Sequence, residues 1–473
     1  VSGTGDILDL DITGVAHGGV FVARHEGRVV FVPDAIPGER VRVRLTDTAK
    51  TSFWRAETLE VLEASPHRQL HVWRQADVDV PPEQRPGGAD FGHISLEHQR
   101  RLKLEVLLDA LHRFGGIEVP AATISAAAAP PLHADGGLPA GHEPDGHEPD
   151  GHEPDGIEPD GETVDGTGWR TRVSLHVDAD GNVGQFAARS HRVIPLEDLP
   201  LATAAVERAA LGLRGGEPGR IDLVQPADGR VRVLPRPQTP RPAASRGGRG
   251  RPAPARRSRT SAGRAPIPEV VVERVGGRDF HVDAGGFWQV HRLAAHTLTT
   301  TVAAALRDQA GDAPAVDPDA WHLDLYGGVG LFAATLGELG GPSTRVTTVE
   351  AEPRATEHAG ENLAEWVGAR AETGRVDRWL ARLAAEASVS ERERLSRGVV
   401  LLDPPRSGAG REVVEHITAL SPATVVYVAC DPVALARDIA TFRSGGYDVG
   451  RIDALDVFPN SHHVEAVAVL TRG

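Results

Sequence analysis

The chain has 473 residues, 40% hydrophobic and 25% charged, a length that suggests about three domains and a composition of the soluble globular kind. No apolar run approaches the roughly 18 residues that a membrane span needs, and residues 1–11 show neither a basic nor an apolar signal region, so no membrane contact and a cytoplasmic location are expected. The single cysteine, Cys430, excludes an intrachain disulfide, a cysteine-only zinc site and a four-cysteine iron-sulfur cluster. The basic residues are almost all Arg, with Lys only at positions 50 and 103, which fits GC-rich coding and carries no functional message.

Residues 1–64 alternate in short β-type runs, GVFVARH, RVVFVP and RVRVRL, broken by Gly14, Gly18, Gly19, Gly27 and the Pro37-Gly38 turn, and this predicts a small closed β-barrel. Residues 70–235 read as a mixed α+β central domain. A helix is expected around residues 96–114, where Leu104, Leu107, Leu108 and Leu111 form a stripe, and strands near residues 169–177. A near-perfect five-residue repeat at residues 133–166, with eleven Asp or Glu and no Lys or Arg, interrupts that domain and should be disordered. A second tract, residues 236–264, holds nine Arg and no acid and should be disordered too, as a solvated linker or an electrostatic RNA contact. The net charge is −15, and the remainder of the chain is acidic without these tracts. Any polyanion site must then be a local groove. From residue 268 to 473 strands alternate with helices in the rhythm of a doubly wound parallel sheet. The fold class expected is therefore α/β, a Rossmann-like C-terminal domain preceded by a small OB-like barrel and the central domain.

Chemistry-bearing residues concentrate in this last domain. In DLYGGVG, residues 324–330, glycines stand where a strand turns into a helix, and Gly328 and Gly330 fit a loose dinucleotide fingerprint that NAD or S-adenosylmethionine would satisfy equally. The next strand ends at Glu350, where a carboxylate can accept from both hydroxyls of an unphosphorylated ribose. The strand VVLLD ends at Asp403 before Pro404, Pro405 and Arg406, and TVVYVAC ends at Cys430. All carboxyl ends of a parallel sheet lie on one edge, so Glu350, Asp403 and Cys430 should converge on one crevice. Residues 456–465, DVFPNSHHVE, place His462, His463 and Glu465 before a last strand, and a metal-free acid/base role suits them better than a metal site.

Taken together, DLYGGVG, DPPRSGAG, VVYVACDPVALARDIATF and DVFPNSHHVEAVAVL resemble, in order and spacing, the RNA uracil-C5 methyltransferase family, which makes 5-methyluridine in ribosomal or transfer RNA from S-adenosylmethionine. GFWQV, residues 286–290, resembles that family's GFFQ segment and implies a cofactor contact for Gln289. The N-terminal GVAHGGVFVARHEGRVVFVPDAIPGERV is similar to a TRAM domain, a small RNA-binding barrel. Many relatives hold an iron-sulfur cluster in the central domain, but the matching region, residues 86–93, has no cysteine. Gly327 stands where relatives often have Cys, and Asp431 where Asn is usual, which could raise the neighbouring thiol's pKa.

The resemblance implies that Cys430 adds to C6 of uracil, that C5 then takes the methyl group, and that Glu465 removes the C5 proton. It places Tyr326 by the cofactor, Asp403 by the methyl donor and target, and Arg406 near the nucleophile or a phosphate. The target base should be flipped into the crevice, with the barrel and central domain gripping RNA. S-adenosylmethionine is the expected cofactor, with no metal and no iron-sulfur cluster. RNA is the expected partner, ribosomal favoured over transfer RNA, and the chain is expected to be a monomer. An exocyclic-amine methyltransferase would carry an aromatic residue where Arg406 stands, and an NAD-dependent oxidoreductase would leave DPPR and the barrel unexplained. The main alternative is a non-catalytic RNA-binding or assembly factor with a degenerate pocket, against which Cys430 and Glu465 argue.

Overall fold

The structure, a computed structural model, describes residues 2–119, 122–127, 163–188, 190–238 and 268–473. The acidic repeat as far as residue 162 and the Arg-rich tract beyond residue 238 lie outside the described residues. The ends of both tracts belong to the fold, because they have partners that composition cannot reveal. The carbonyls of Asp165 and Gly166 accept from Asn460 Nδ2 at 2.9 and 2.8 Å, and Arg236 pairs with Asp222 at 2.6 Å.

Strands β1 (Ile7–Ala16), β2 (Val20–His25), β3 (Arg28–Val32), β4 (Arg40–Asp47) and β5 (Phe53–Glu63) close a barrel in the order β1-β2-β3-β5-β4. Alternation turns Leu10, Ile12, Phe21, Ala23, Val30, Val41 and Val43 into its core. The fully buried Glu39 carboxylate accepts from Arg68 at 2.6 and 2.8 Å and from the Ile36 and Ser65 amides, fastening the barrel to the segment that follows.

The central stretch does not keep to itself. Helix α1 (Leu96–Ala110), continued by a wider turn over Leu111–Gly115, buries Leu107 and Leu111 of the expected stripe in the core of the C-terminal sheet. Strand β6 (Ile124–Ala126) joins that sheet's edge. The rest, β7 (Arg172–Val177), β8 (Val183–Phe186), β9 (Val193–Pro195), α2 (Ala204–Gly212), β10 (Gly219–Val224) and β11 (Arg232–Pro237), forms a sheet of order β11-β10-β7-β8-β9. Its core of Trp73, Ala89, Trp169, Leu175, Leu199 and Leu201 is apolar.

A hairpin of β12 (Val270–Val275) and β13 (Arg278–Asp283) leads to α3 (Ala294–Ala310). The chain then runs through β14 (Trp321–Leu325), α4 (Leu331–Gly340), β15 (Arg345–Glu350), α5 (Pro353–Asn362), β16 (Arg370–Thr373), α6 (Val376–Glu386), α7 (Val389–Ser396), β17 (Val399–Leu402), α8 (Arg411–Leu420), β18 (Thr424–Ala429), α9 (Pro432–Ser444), β19 (Tyr447–Asp456) and β20 (Glu465–Arg472). The sheet order is β16-β15-β14-β17-β18-β20-β19-β6. The first five strands are parallel, and β14, β15, β17 and β18 are buried between helices while β16, RAET, is an exposed edge. Strand β20 is antiparallel to β18, with Ala429 opposite Ala466, so its first residue meets the carboxyl end of β18. No helix among the described residues is long and apolar enough to cross a membrane.

Candidate active site

The carboxyl edge of the parallel strands opens into a cavity of about 1480 Å³. Gln289, Tyr326, Gly328, Glu350, Asp403, Cys430 and Glu465 all line it, together with Arg406 and His463. The parallel strands deliver Glu350, Asp403 and Cys430 to one edge, and the antiparallel β20 delivers Glu465 to the same edge from the opposite chain direction. Gly330 is not part of the lining. It initiates α4 at φ 91°, and a Cβ there would meet Leu363 at 3.2 Å.

The turn after β14 is tightly specified. Tyr326 takes φ 62°, a left-handed conformation uncommon for a bulky residue. Gly328 takes φ 54° with open space where its Cβ would be, so backbone lies bare to the cavity. A Cβ on Gly327 would stand 2.0 Å from Thr348 Oγ1 and 2.4 Å from Asp324 Oδ2, which leaves room only for glycine. Beneath the turn the fully buried Asp324 accepts from Thr348 Oγ1 at 3.0 Å and the Ala333 amide at 3.2 Å. Glu350 accepts from the amides of Gly328, Ala351 and Glu352 at 3.2, 2.6 and 2.9 Å, which fixes its carboxylate at the mouth of the turn.

At the reacting edge Glu465 is buried and Asp403 and Cys430 are half-buried. Burial, followed by the charge of Asp324, pushes Asp403 up to about 7. Burial and the Asp403 charge hold Glu465 well above the usual carboxylate range, with Arg406 opposing. Burial pushes the Cys430 thiol up to about 12, with Glu465, Asp403 and Asp431 adding to the shift and Arg406 opposing it. Each of these anions is thus a stronger base than its solvent-exposed counterpart. Arg406 donates to His463 Nε2 at 3.2 Å, and burial drives His463 down to about 3, so that ring is neutral. His462 instead faces Asp90, with Nδ1 2.7 Å from its carboxylate, so the two rings, 4.1 Å apart, turn to different partners. No cluster with metal-ligand composition occurs among the described residues.

The loop after Asp403 is held from behind. Asp438 on α9 accepts from the Ala409 and Gly410 amides at 2.8 and 3.2 Å and from the Tyr427 hydroxyl at 2.7 Å. Asn460 exchanges hydrogen bonds with Gln99 of α1 at 2.8 Å in each direction, which anchors the turn before Glu465.

Several lining residues are not evident from the sequence reading. Trp169 and Arg170 reach the cavity from the central sheet through a bridge between Arg170 and His291, a pairing that no local pattern signals. Phe287 is 75% exposed at the cavity wall, whereas its neighbour Trp288 is buried against Phe280. The GFWQV segment itself does not signal which of these two adjacent aromatics is exposed. Asp283 accepts from Arg354 at 2.8 Å and lies 2.8 Å from His358 Nε2, tying β13 to α5 along the wall.

Comparison with known proteins bears on this geometry. Residues 2–57 match the family description of the TRAM domain, and residues 378–473 match that of tRNA (Uracil-5-)-methyltransferase. An uncharacterised RNA methyltransferase of Streptomyces avermitilis is 37% identical, the alignment covering 98% of both chains. The 23S rRNA (uracil(1939)-C(5))-methyltransferase RlmD of Halomonas elongata is 30% identical over 98% of this chain and 89% of its own. Among solved structures, the Pyrococcus abyssi tRNA (uracil-54, C5)-methyltransferase in complex with S-adenosyl-L-homocysteine shares the fold. Its TM-score is 0.60 at 20% identity, covering 98% of this chain and 100% of its own.

Proposed function

Because the chain belongs to the RNA (uracil-5-)-methyltransferase family, we propose that it methylates C5 of a uridine in ribosomal RNA through a covalent adduct on Cys430. The observation that carries the reading is the convergence of Cys430, Glu465 and Asp403 on one cavity shared with the Gly328 turn and Glu350. The cavity fits S-adenosylmethionine. Bare backbone at Gly328 can approach the ligand, and the Glu350 carboxylate, already oriented by three amides, retains lone pairs for ribose hydroxyls. Gln289 and Tyr326 complete that side of the wall. S-adenosylmethionine, when bound, supplies the electrophilic methyl group.

The chain's own residues do the remaining chemistry. Uracil C5 becomes nucleophilic only when a group adds to C6, and Cys430 is the sole thiol available. Its thiolate forms the S–C6 bond, pushing electron density to C5 and O4. After methylation Glu465 accepts the C5 proton, the S–C6 bond breaks and the double bond returns. The high thiol pKa means little thiolate stands ready at neutral pH. Attack is therefore coupled to substrate entry, which brings the C5=C6 bond against sulfur as Arg406 opposes the local negative charge. Phe287 offers a face on which a flipped base can stack.

Ribosomal rather than transfer RNA is favoured by full-length similarity to a relative named for 23S rRNA. Incubation with methyl-labelled S-adenosylmethionine and total RNA, followed by fractionation and digestion to nucleosides, tests this. Label in 5-methyluridine from large ribosomal RNA is expected. Label in transfer RNA would overturn the substrate, label on an exocyclic amine the chemistry, and no label the assignment as an enzyme.

A further inference from the structure

The barrel reaches the reacting edge. Its turn between β1 and β2, residues 17–19, packs against the loop that carries Cys430, and a cavity of about 90 Å³ lies between them. His17 Nε2 lies 3.0 Å from Asp431 Oδ2. Asp431 directly follows Cys430 and also caps α9, its Oδ1 accepting from the Ala434 amide at 2.8 Å. Two residues along, Gly19 at φ 70° touches His462, where an added Cβ would stand 2.8 Å from Nδ1. The contact is therefore close on both sides.

The other charged or titratable groups facing this cavity have partners elsewhere. Lys103 is bound to Asp456 and the Phe458 carbonyl, Arg406 to His463, and His462 to Asp90. Across the larger cavity, Asp403 and Glu465 add negative charge toward the thiol. An unpaired Asp431 carboxylate would add more, one residue away, and disfavour an anionic sulfur. His17 is the side chain that meets it.

We infer that His17 is a positioning residue for the Cys430 chemistry, holding and neutralising from the barrel the Asp431 carboxylate that flanks the thiol. Hydrogen bonding to Asp431 raises the His17 pKa and so keeps the ring cationic over a wider range, consistent with that role. The barrel thereby does more than hold RNA, since its first turn completes the electrostatics around the nucleophile. The inference rests on the reading of Cys430 as nucleophile.

Cys430 is the only cysteine, so alkylation of the full-length protein by iodoacetamide reads its thiolate directly, without RNA or cofactor. His17→Gln removes the charge and is expected to slow alkylation at pH 6.5 roughly twofold to fivefold, moving the rate profile to higher pH. His17→Lys, which restores a cation, is expected to recover most of the rate. In an Asp431→Asn background His17→Gln should have no effect, because there is no carboxylate left to offset. Matched melting curves identify folded variants. Equal slowing in both backgrounds, slowing in neither, or failure of His17→Lys to rescue a folded protein overturns the inference while leaving the nucleophile reading intact. Undiminished methylation by Cys430→Ala would overturn that reading, and the inference with it.

Discussion

A carboxyl group buried beside another cannot lose its proton at the usual pH, and Asp403, with Asp324 behind it, is held up to about 7 against an ordinary 3.8. Glu465 is shifted in the same direction by burial and by Asp403. The sign matters for both stability and activity. The folded state binds the Asp403 proton more tightly than the unfolded chain, so the associated stabilisation is present below pH 3.8 and is lost as pH rises through about 7. Activity runs the other way, because Glu465 must be ionised to accept a proton. Methyl transfer at saturating substrates should therefore rise with pH along an acidic limb that lies above the range of an ordinary carboxylate. Asp403→Asn removes the nearby charge and should lower overall activity while moving the acidic limb to lower pH. An unmoved limb in the variant would show that Asp403 does not set the ionisation of its neighbours.

At the scale of elements, α1 is the strut between the barrel side and the turn before β20. Lys103, fully buried on this helix, donates to Asp456 Oδ1 at 2.5 Å and the Phe458 carbonyl at 2.9 Å, and Gln99 one turn earlier holds Asn460. Lys103→Met leaves the buried Asp456 with its cation removed, although Arg100 still approaches it at 3.2 Å. The expected loss is about 3 kcal/mol of unfolding free energy, read by urea denaturation, and a loss below about 1 kcal/mol would show that the pair is dispensable. The leucine stripe made this helix legible in the sequence. Its polar anchors were not, because their partners lie more than 350 residues away. The same holds for β6, a three-residue strand with no periodicity to read, which finds its place only through β19. Four of the five parallel strands were legible because runs that stop at a glycine or proline turn mark their carboxyl ends without tertiary information, whereas β16, RAET, has no apolar run to read.

The whole molecule assembles the surroundings of Cys430 from parts far apart in the chain. The barrel turn lies against the loop of Cys430, the central sheet supplies Trp169 and Arg170, the β12–β13 hairpin and GFWQV form one wall, and the C-terminal sheet supplies the reactive groups. From the sequence, the crevice at the strand ends could be foreseen, since a parallel sheet leaves no other edge for Glu350, Asp403 and Cys430. The contributions of His17, Arg170 and Phe287 could not, because they depend on how separate units dock. What unites the parts is the claim that Cys430 attacks uracil and Glu465 later removes the C5 proton. Covalent trapping tests that claim most directly. RNA carrying 5-fluorouridine has no C5 proton to give, so wild-type protein with S-adenosylmethionine should form a protein-RNA adduct that survives denaturing gels. Glu465→Gln should form one with ordinary RNA, and Cys430→Ala should form none with either. Normal turnover by Glu465→Gln, or a wild type that methylates ordinary RNA yet leaves fluorinated RNA unbound on the gel, would contradict it.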